Sequence, residues 1–374
     1  MKSAGKKSSL LLCLLALSML LSACSSIFDK EYLSIKEATE QKASESEDIG
    51  YEVENYLELK LFLTRLVVEH SELGKLSFKN YKGNVNEDLA AVCRDISSKM
   101  ALGVYCVDFI SYDIDRTVSH LGAIVYINYK KTKEETDAIK SVNTAEEGLK
   151  LIADAMQNGD ELLVLHIRSS KLTEDELRDF VEKKYLESPV KFPLRPGVLV
   201  GTYDSGDTSK IYEIRLDYGM DKSERIRLSS SCSREIKNLT EQFKDRSEGV
   251  RAMELINLLR TTVELDETAE GSLKNALIDK VSSSEGFPIL LKACCDELDI
   301  ESFVVKGRLN KNESYWNILK IEGEYYHFDI GRYKKTGQTA YLFASDEKMK
   351  GEYFWDFEEY PACSSKLQYE NFSG

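Results

Sequence analysis

Residues 281–330 run Val281-Ser282-Ser283-Ser284-Glu285-Gly286-Phe287, through Leu290-Leu291 and Cys294-Cys295, and on to Tyr325-Tyr326-His327-Phe328-Asp329-Ile330. Phe287, Leu290, Leu291, Cys294, Cys295 and Leu298 recur at i, i+3, i+4, i+7, i+8 and i+11, so the spacing predicts a helix that buries one apolar stripe. Ser282 with Glu285 fits a capping box at its start. Three strand-like runs follow: Phe303–Leu309, Tyr315–Ile321 and Glu324–Ile330. A two-residue Glu322-Gly323 turn sets Ile321 opposite Glu324 and Ser314 opposite Gly331. Asp329 is then the diagonal same-face neighbour of Ser314, at ~7–8 Å.

Helix, strand, strand, strand behind a small-residue loop resembles the core of the transglutaminase-like superfamily, the papain-like Cys-His-Asp scaffold. That family opens the helix with a Cys-Glu-Gly-Tyr-like stretch, and here it is Ser284-Glu285-Gly286-Phe287. Its His-Ala-Trp-Asn-like strand corresponds to Ser314-Tyr315-Trp316-Asn317, and its Trp-Tyr-x-x-Asp-like strand to Tyr325-Tyr326-His327-Phe328-Asp329. The tail, Tyr341-Leu342-Phe343 to Tyr360-Pro361-Ala362-Cys363, also resembles bacterial members. The resemblance implies a helix packed on an antiparallel sheet over residues 246–374. It places the degenerate triad positions at Ser284, Ser314 and Asp329, and a cleft at Phe287, Tyr315, Trp316 and Asn317.

Cysteine and histidine are both replaced by serine. A thiol at a helix start beside an imidazole ionises near neutral pH, whereas a serine hydroxyl needs a base that Ser314 cannot supply. Loss of either group removes most of the rate. The expectation is a domain without catalysis that binds or scaffolds. The alternative is an active protease-, amidase- or acyl-transfer-like enzyme using Ser284 with His327 as a displaced base. Cys294 and Cys295 sit deep on the helical stripe and act as small hydrophobes. On the same resemblance, restoring Cys at 284 and His at 314 is expected to rebuild the triad.

Met1–Ala23 has the form of a secretory leader, with Lys2, Lys6 and Lys7 ahead of the apolar run Leu10–Leu21. Leu21-Ser22-Ala23-Cys24 resembles the lipobox of bacterial lipoproteins, which implies lipid attachment at Cys24. Residues 24–54 then form a polar tether. The expected location is the extracytoplasmic face of a bacterial cell membrane, held by the N-terminal lipid. The formal net charge of -14 argues against nucleic acid as a partner. An envelope protein, a peptide or peptidoglycan suits a binding module there. His70, His120, His166 and His327 are scattered and no C-x-x-C pair occurs, so neither a metal nor another cofactor is expected.

The middle repeats at about 90 residues. Glu58-Leu59-Lys60-Leu61-Phe62 recurs as Gly148-Leu149-Lys150-Leu151-Ile152, and Val125–Tyr129 recurs as Ile214–Tyr218. Two small α+β units, 55–143 and 144–240, are expected ahead of the C-terminal domain, each with helices on one face of an antiparallel sheet.

Overall fold

The computed structural model describes residues 50–116, 121–169, 171–206 and 209–372. The leader, Cys24 and the tether as far as residue 49 lie outside the described residues. By contacts the chain forms two compact units. Of the described residues, the smaller comprises those up to Phe62 with those of Leu73–Leu89 and Ser111–Tyr126, and the larger takes the rest.

The duplicated pattern takes the form of two four-stranded sheets. The first holds β1 (Tyr51–Asn55), β2 (Leu73–Lys82), β3 (Val107–Arg116) and β4 (Leu121–Tyr129). Helix α1 (Tyr56–Val68) follows β1, and helices α2 (Val85–Lys99) and α3 (Ala101–Cys106) follow β2. The short α4 (Lys133–Asp137) leads to the second sheet, β5 (Lys140–Val142), β6 (Leu162–Ile167), β7 (Gly197–Asp204) and β8 (Lys210–Asp217). Here α5 (Ala145–Asn158) follows β5 and α6 (Glu174–Glu187) follows β6. Strand order is first-second-fourth-third in both sheets. In both, the first strand runs parallel to the second and the second antiparallel to the fourth. Each unit starts on a strand a few residues ahead of the expected helix, at Tyr51 and Lys140.

Local chemistry explains the matched elements. Thr144 and Thr173 close capping boxes with Glu147 and Glu176 at the starts of α5 and α6. After the first helix of each unit the chain turns through a left-handed residue, His70 (φ 57°) and Gly159 (φ 69°). The recurring tyrosines serve that turn. The Tyr129 hydroxyl donates to the Leu66 and Ser71 carbonyls at 3.2 and 3.1 Å, and Tyr218 to the Asp160 carbonyl at 3.5 Å. Each ring is also covered, Tyr129 by His70 and Tyr218 by Arg225.

Helices α7 (Lys222–Thr240) and α8 (Glu248–Thr262) lead to a two-stranded pair, β9 (Glu264–Leu265) and β10 (Val281–Ser282). Helix α9 (Gly286–Glu297) follows. Then come β11 (Ser302–Leu309), β12 (Asn312–Ile321), β13 (Glu324–Phe328), α10 (Ile330–Thr336), β14 (Leu342–Ala344), α11 (Asp346–Met349) and β15 (Tyr353–Phe354). The sheet order is β14-β13-β12-β11-β15, antiparallel throughout. This is an α+β arrangement, a helix followed by the antiparallel strands on which it packs.

Both faces of that sheet are covered. Tyr315, Leu319, Ile321, Tyr326 and Phe328 share a core with the α9 stripe. Val305, Trp316 and Ile318 lie on the opposite face with Tyr341, Met349 and Tyr353. The α9-side core is continuous with that of the second sheet, taking in Leu165, Leu177, Tyr212 and, on α7, Cys232 and Ile236. The second α+β unit and the C-terminal segment are therefore one hydrophobic body.

Candidate functional site

The hairpin between β12 and β13 has the expected register. Glu322 (φ 52°) and Gly323 (φ 84°) form its turn, as two-residue hairpins require, and pairing runs from Ile321–Glu324 to Asn317–Phe328. The expected pair of Ser314 with Gly331 does not form, because the chain leaves the sheet at Asp329. The Asp329 carboxylate caps α10, accepting from the Arg332 N–H at 2.8 Å and from the Tyr353 hydroxyl at 2.7 Å. Asp329 is buried, and desolvation holds its carboxyl above the usual range. Its acceptor capacity serves a helix terminus and a tyrosine rather than a catalytic base.

Ser284 precedes α9 as expected, but Ser282 does not cap that helix. The Ser282 hydroxyl turns to the Glu270 carbonyl (3.3 Å), and no side chain caps the first turn. Ser284 donates its N–H and its hydroxyl to one oxygen of Glu267, at 3.1 and 3.0 Å. It packs against Gly331, where a Cβ would stand 3.1 Å from the Ser284 carbonyl oxygen. Ser314 pairs with Gly307 across β11–β12. Strand alternation puts it on the Trp316 face, turned away from α9. Asn317, on the α9 face, donates to the Pro288 carbonyl at 2.9 Å.

The four residues expected to line a cleft are core residues. Phe287, Trp316 and Asn317 are fully buried and Tyr315 is nearly so. None borders the large cleft described below. The Trp316 indole N–H and the Tyr315 hydroxyl are consumed by hydrogen bonds to His327 and to Glu182 and Glu313, the common fate of such amphipathic rings.

The two serine positions are linked only through their neighbours in sequence. Arg195, in the loop after α6, sits 3.3 Å from Glu285 and 3.5 Å from Glu182 of α6. The Tyr315 hydroxyl donates to Glu182 at 2.7 Å, and Lys306 also bonds Glu182. The guanidinium lies between the Tyr185 and Tyr315 rings. Burial raises the Glu182 carboxyl, but its bonds to Lys306 and Tyr315, with Arg195 alongside, outweigh this and hold it low. Burial dominates at Glu285, whose carboxyl is raised. Arg195 and Glu182 carry no local sequence signal. They lie 90 and 133 residues from the partners they hold, Glu285 and Tyr315.

His327 is not beside Ser284. It is fully buried on the far face of β13, where the Trp316 indole N–H donates to Nδ1 at 3.0 Å and Nε2 lies 2.9 Å from the Asp346 carboxylate. Indole is donor-only, so Nδ1 is an acceptor and the ring proton sits on Nε2. Burial keeps the ring neutral by lowering its pKa below 6.5.

Cys363 completes a cluster whose donor atoms lie within 4.8 Å of one another. Nδ1, tied to Trp316, would leave an imidazolate if Nε2 bound a cation, so the donor set does not suit a metal. The thiol does not suit nucleophilic attack either, because burial, then Asp346, push its pKa well up. All six described cysteines are free thiols.

No family model matches the chain, and no curated protein matches it. Solved structures are similar at low identity, two of them as follows. One is a provisionally assigned cysteine protease from Cytophaga hutchinsonii, 12% identical, covering 37% of this chain and 62% of that one with a TM-score of 0.24. The other is a TGase, 13% identical, covering 67% of this chain and 66% of that one with a TM-score of 0.26. The chain spans less than two thirds of the length of either. Likeness at these TM-scores carries no argument about the site, which stands on this chain's own residues.

Proposed function

We propose that this chain is a lipid-anchored extracytoplasmic lipoprotein of a bacterial envelope whose transglutaminase-like domain binds or scaffolds and does not catalyse. The carrying observation is the disposition of the three triad positions. Ser284 is clamped by Glu267, Ser314 lies on the face away from α9, and Asp329 is spent on a helix cap and Tyr353. The anchor is supported by the leader, the small-residue site and Cys24 in the sequence. Among the described residues no helix is long and apolar enough to cross a membrane. A serine hydroxyl on a carboxylate is the one contact that favours an enzyme. Glu267 bonds the Ser284 backbone as well, and a carboxylate is a weak base for an alcohol at neutral pH.

The test has two arms. Wild-type protein should label with lipid and partition with membranes, and Cys24→Ala should abolish both. Neither a serine-directed fluorophosphonate nor a panel of peptide and amide substrates should detect activity. Turnover that disappears in Ser284→Ala would overturn the reading and promote a Ser284–Glu267 mechanism.

A further inference from the structure

A cleft of about 1240 Å³ lies along β11 rather than at the triad positions. Helix α6 forms one wall, and the segment Phe354–Tyr360 forms the other. Its floor is a partly open sheet edge. Strand β11 pairs with β12 along its whole length, but β15 covers it only at Arg308 and Leu309. The Asn310 N–H donates to the Glu352 carbonyl on that outer side. Backbone groups of alternate residues share a side, so those of Lys306, Val304 and Ser302 also point outward into the cleft. At Lys306 the outward backbone meets the Tyr360 hydroxyl rather than a strand.

We propose that this cleft takes an extended, basic segment of a partner protein as an added strand on the open edge of β11. The inference rests on the reading of the domain as a binding module. Charge selects the occupant. Acidic side chains in the lining outnumber basic ones by seven to four, and aromatic rings, Phe180, Phe354, Trp355 and Tyr360 among them, stand beside them. Carboxylates with aromatic faces favour a cation with an apolar stem. The tether of this same chain is a poor occupant, because residues 25–49 carry seven acidic and three basic side chains. The open edge, Ser302–Lys306, matches a strand of about five residues at ~3.3 Å each. Main-chain bonds along the edge supply affinity, and the walls select side chains.

The experiment uses a fluorescent Lys-Val-Lys-Val-Lys-Val peptide and the full mature chain, read by anisotropy. The expected result is saturable binding that weakens with salt. It should fall at least tenfold when alternate peptide nitrogens are methylated, and be lost when glutamate replaces lysine in the peptide. Glu187→Lys with Glu359→Lys, both exposed wall residues, should also weaken it at least tenfold while leaving the circular dichroism melt in place. Equal binding of the methylated peptide, or of the glutamate peptide, would overturn the proposal, as would no binding at millimolar protein. Mass spectrometry of the peptide separates the two readings. Cleavage lost in Ser284→Ala overturns the non-catalytic reading alone, and absent binding without cleavage overturns only the strand-addition inference.

Discussion

Arg195 illustrates how one side chain gathers charge beside Ser284 and Tyr315. Its guanidinium holds Glu182 and Glu285 together between two tyrosine rings, all partly desolvated. Removing it leaves Glu285 without a cationic partner and Glu182 with Lys306 and Tyr315 alone. Breaking a fully buried pair costs ~3–5 kcal/mol, but the Arg195 and Glu285 side chains are each about a third exposed. Screening therefore brings the expected loss for Arg195→Met to about 2 kcal/mol by urea denaturation. Glu285→Gln should recover part of it in the double variant, and strict additivity would show that the pair is not coupled. His327 gives a pH signature. Its ring is buried and neutral, with a pKa below its ordinary 6.5 despite the opposing pull of Asp346. The unfolded chain takes up the proton first as pH falls. Stability from this group is complete above about pH 6.5 and is lost as pH drops through the folded value. His327→Gln can keep both hydrogen bonds without titrating, so the slope of stability between pH 5 and 6.5 should flatten. An unchanged slope would assign it to other groups.

At the scale of elements, what was legible in the sequence is what local chemistry dictates. The stripe from Phe287 to Cys295 gives α9, and Glu322-Gly323 gives the hairpin register. The duplicated helix starts and terminal tyrosines mark two units with one strand order. The sequence became misleading where a local pattern competed with a tertiary partner. Ser282 and Glu285 fit a capping box, but Ser282 went to Glu270 and Glu285 to Arg195. Asp329 continued the strand pattern, yet the helix it caps takes the chain out of the sheet. The walls of the site were illegible because Glu182 and Arg195 arrive from the second unit. Strand β12 supplies a direct test of facing. A histidine at 314 would start on the Trp316 side, opposite α9, so the expected rebuilding of the triad should fail. Ser284→Cys with Ser314→His should alkylate with iodoacetamide no faster than Ser284→Cys alone across pH 6–9. A depressed thiol pKa in the double variant would show that the two positions do meet.

The molecule as a whole joins what the sequence divides. The C-terminal segment from 246 onward reads as a separate domain, but the core that packs α9 on its sheet continues into α6, β6, β8 and α7. Cys232 and Ile236 of α7, and Leu177 of α6, are as buried as Leu290 and Leu291 of α9. The same body carries Glu182 and Arg195 to Glu285 and Tyr315 and forms one wall of the cleft with α6. The shared core ties the α6 wall of the cleft to its β11 floor without a hinge. Shared burial also requires shared unfolding. Leu177→Ala and Leu290→Ala, in the two halves, should each cost about 2–5 kcal/mol. Each should lower the same calorimetric transition, followed both by the fluorescence of Trp316 and Trp355 and by amide exchange in β6. The isolated fragment 246–374 should show a molten, non-cooperative melt, because the α9 side of its sheet loses the residues of α6, β6, β8 and α7 that complete its core. Two separable transitions, each answering to only one of the substitutions, would show instead that the second α+β unit and the C-terminal domain fold independently and that the cleft between α6 and β11 has a movable wall.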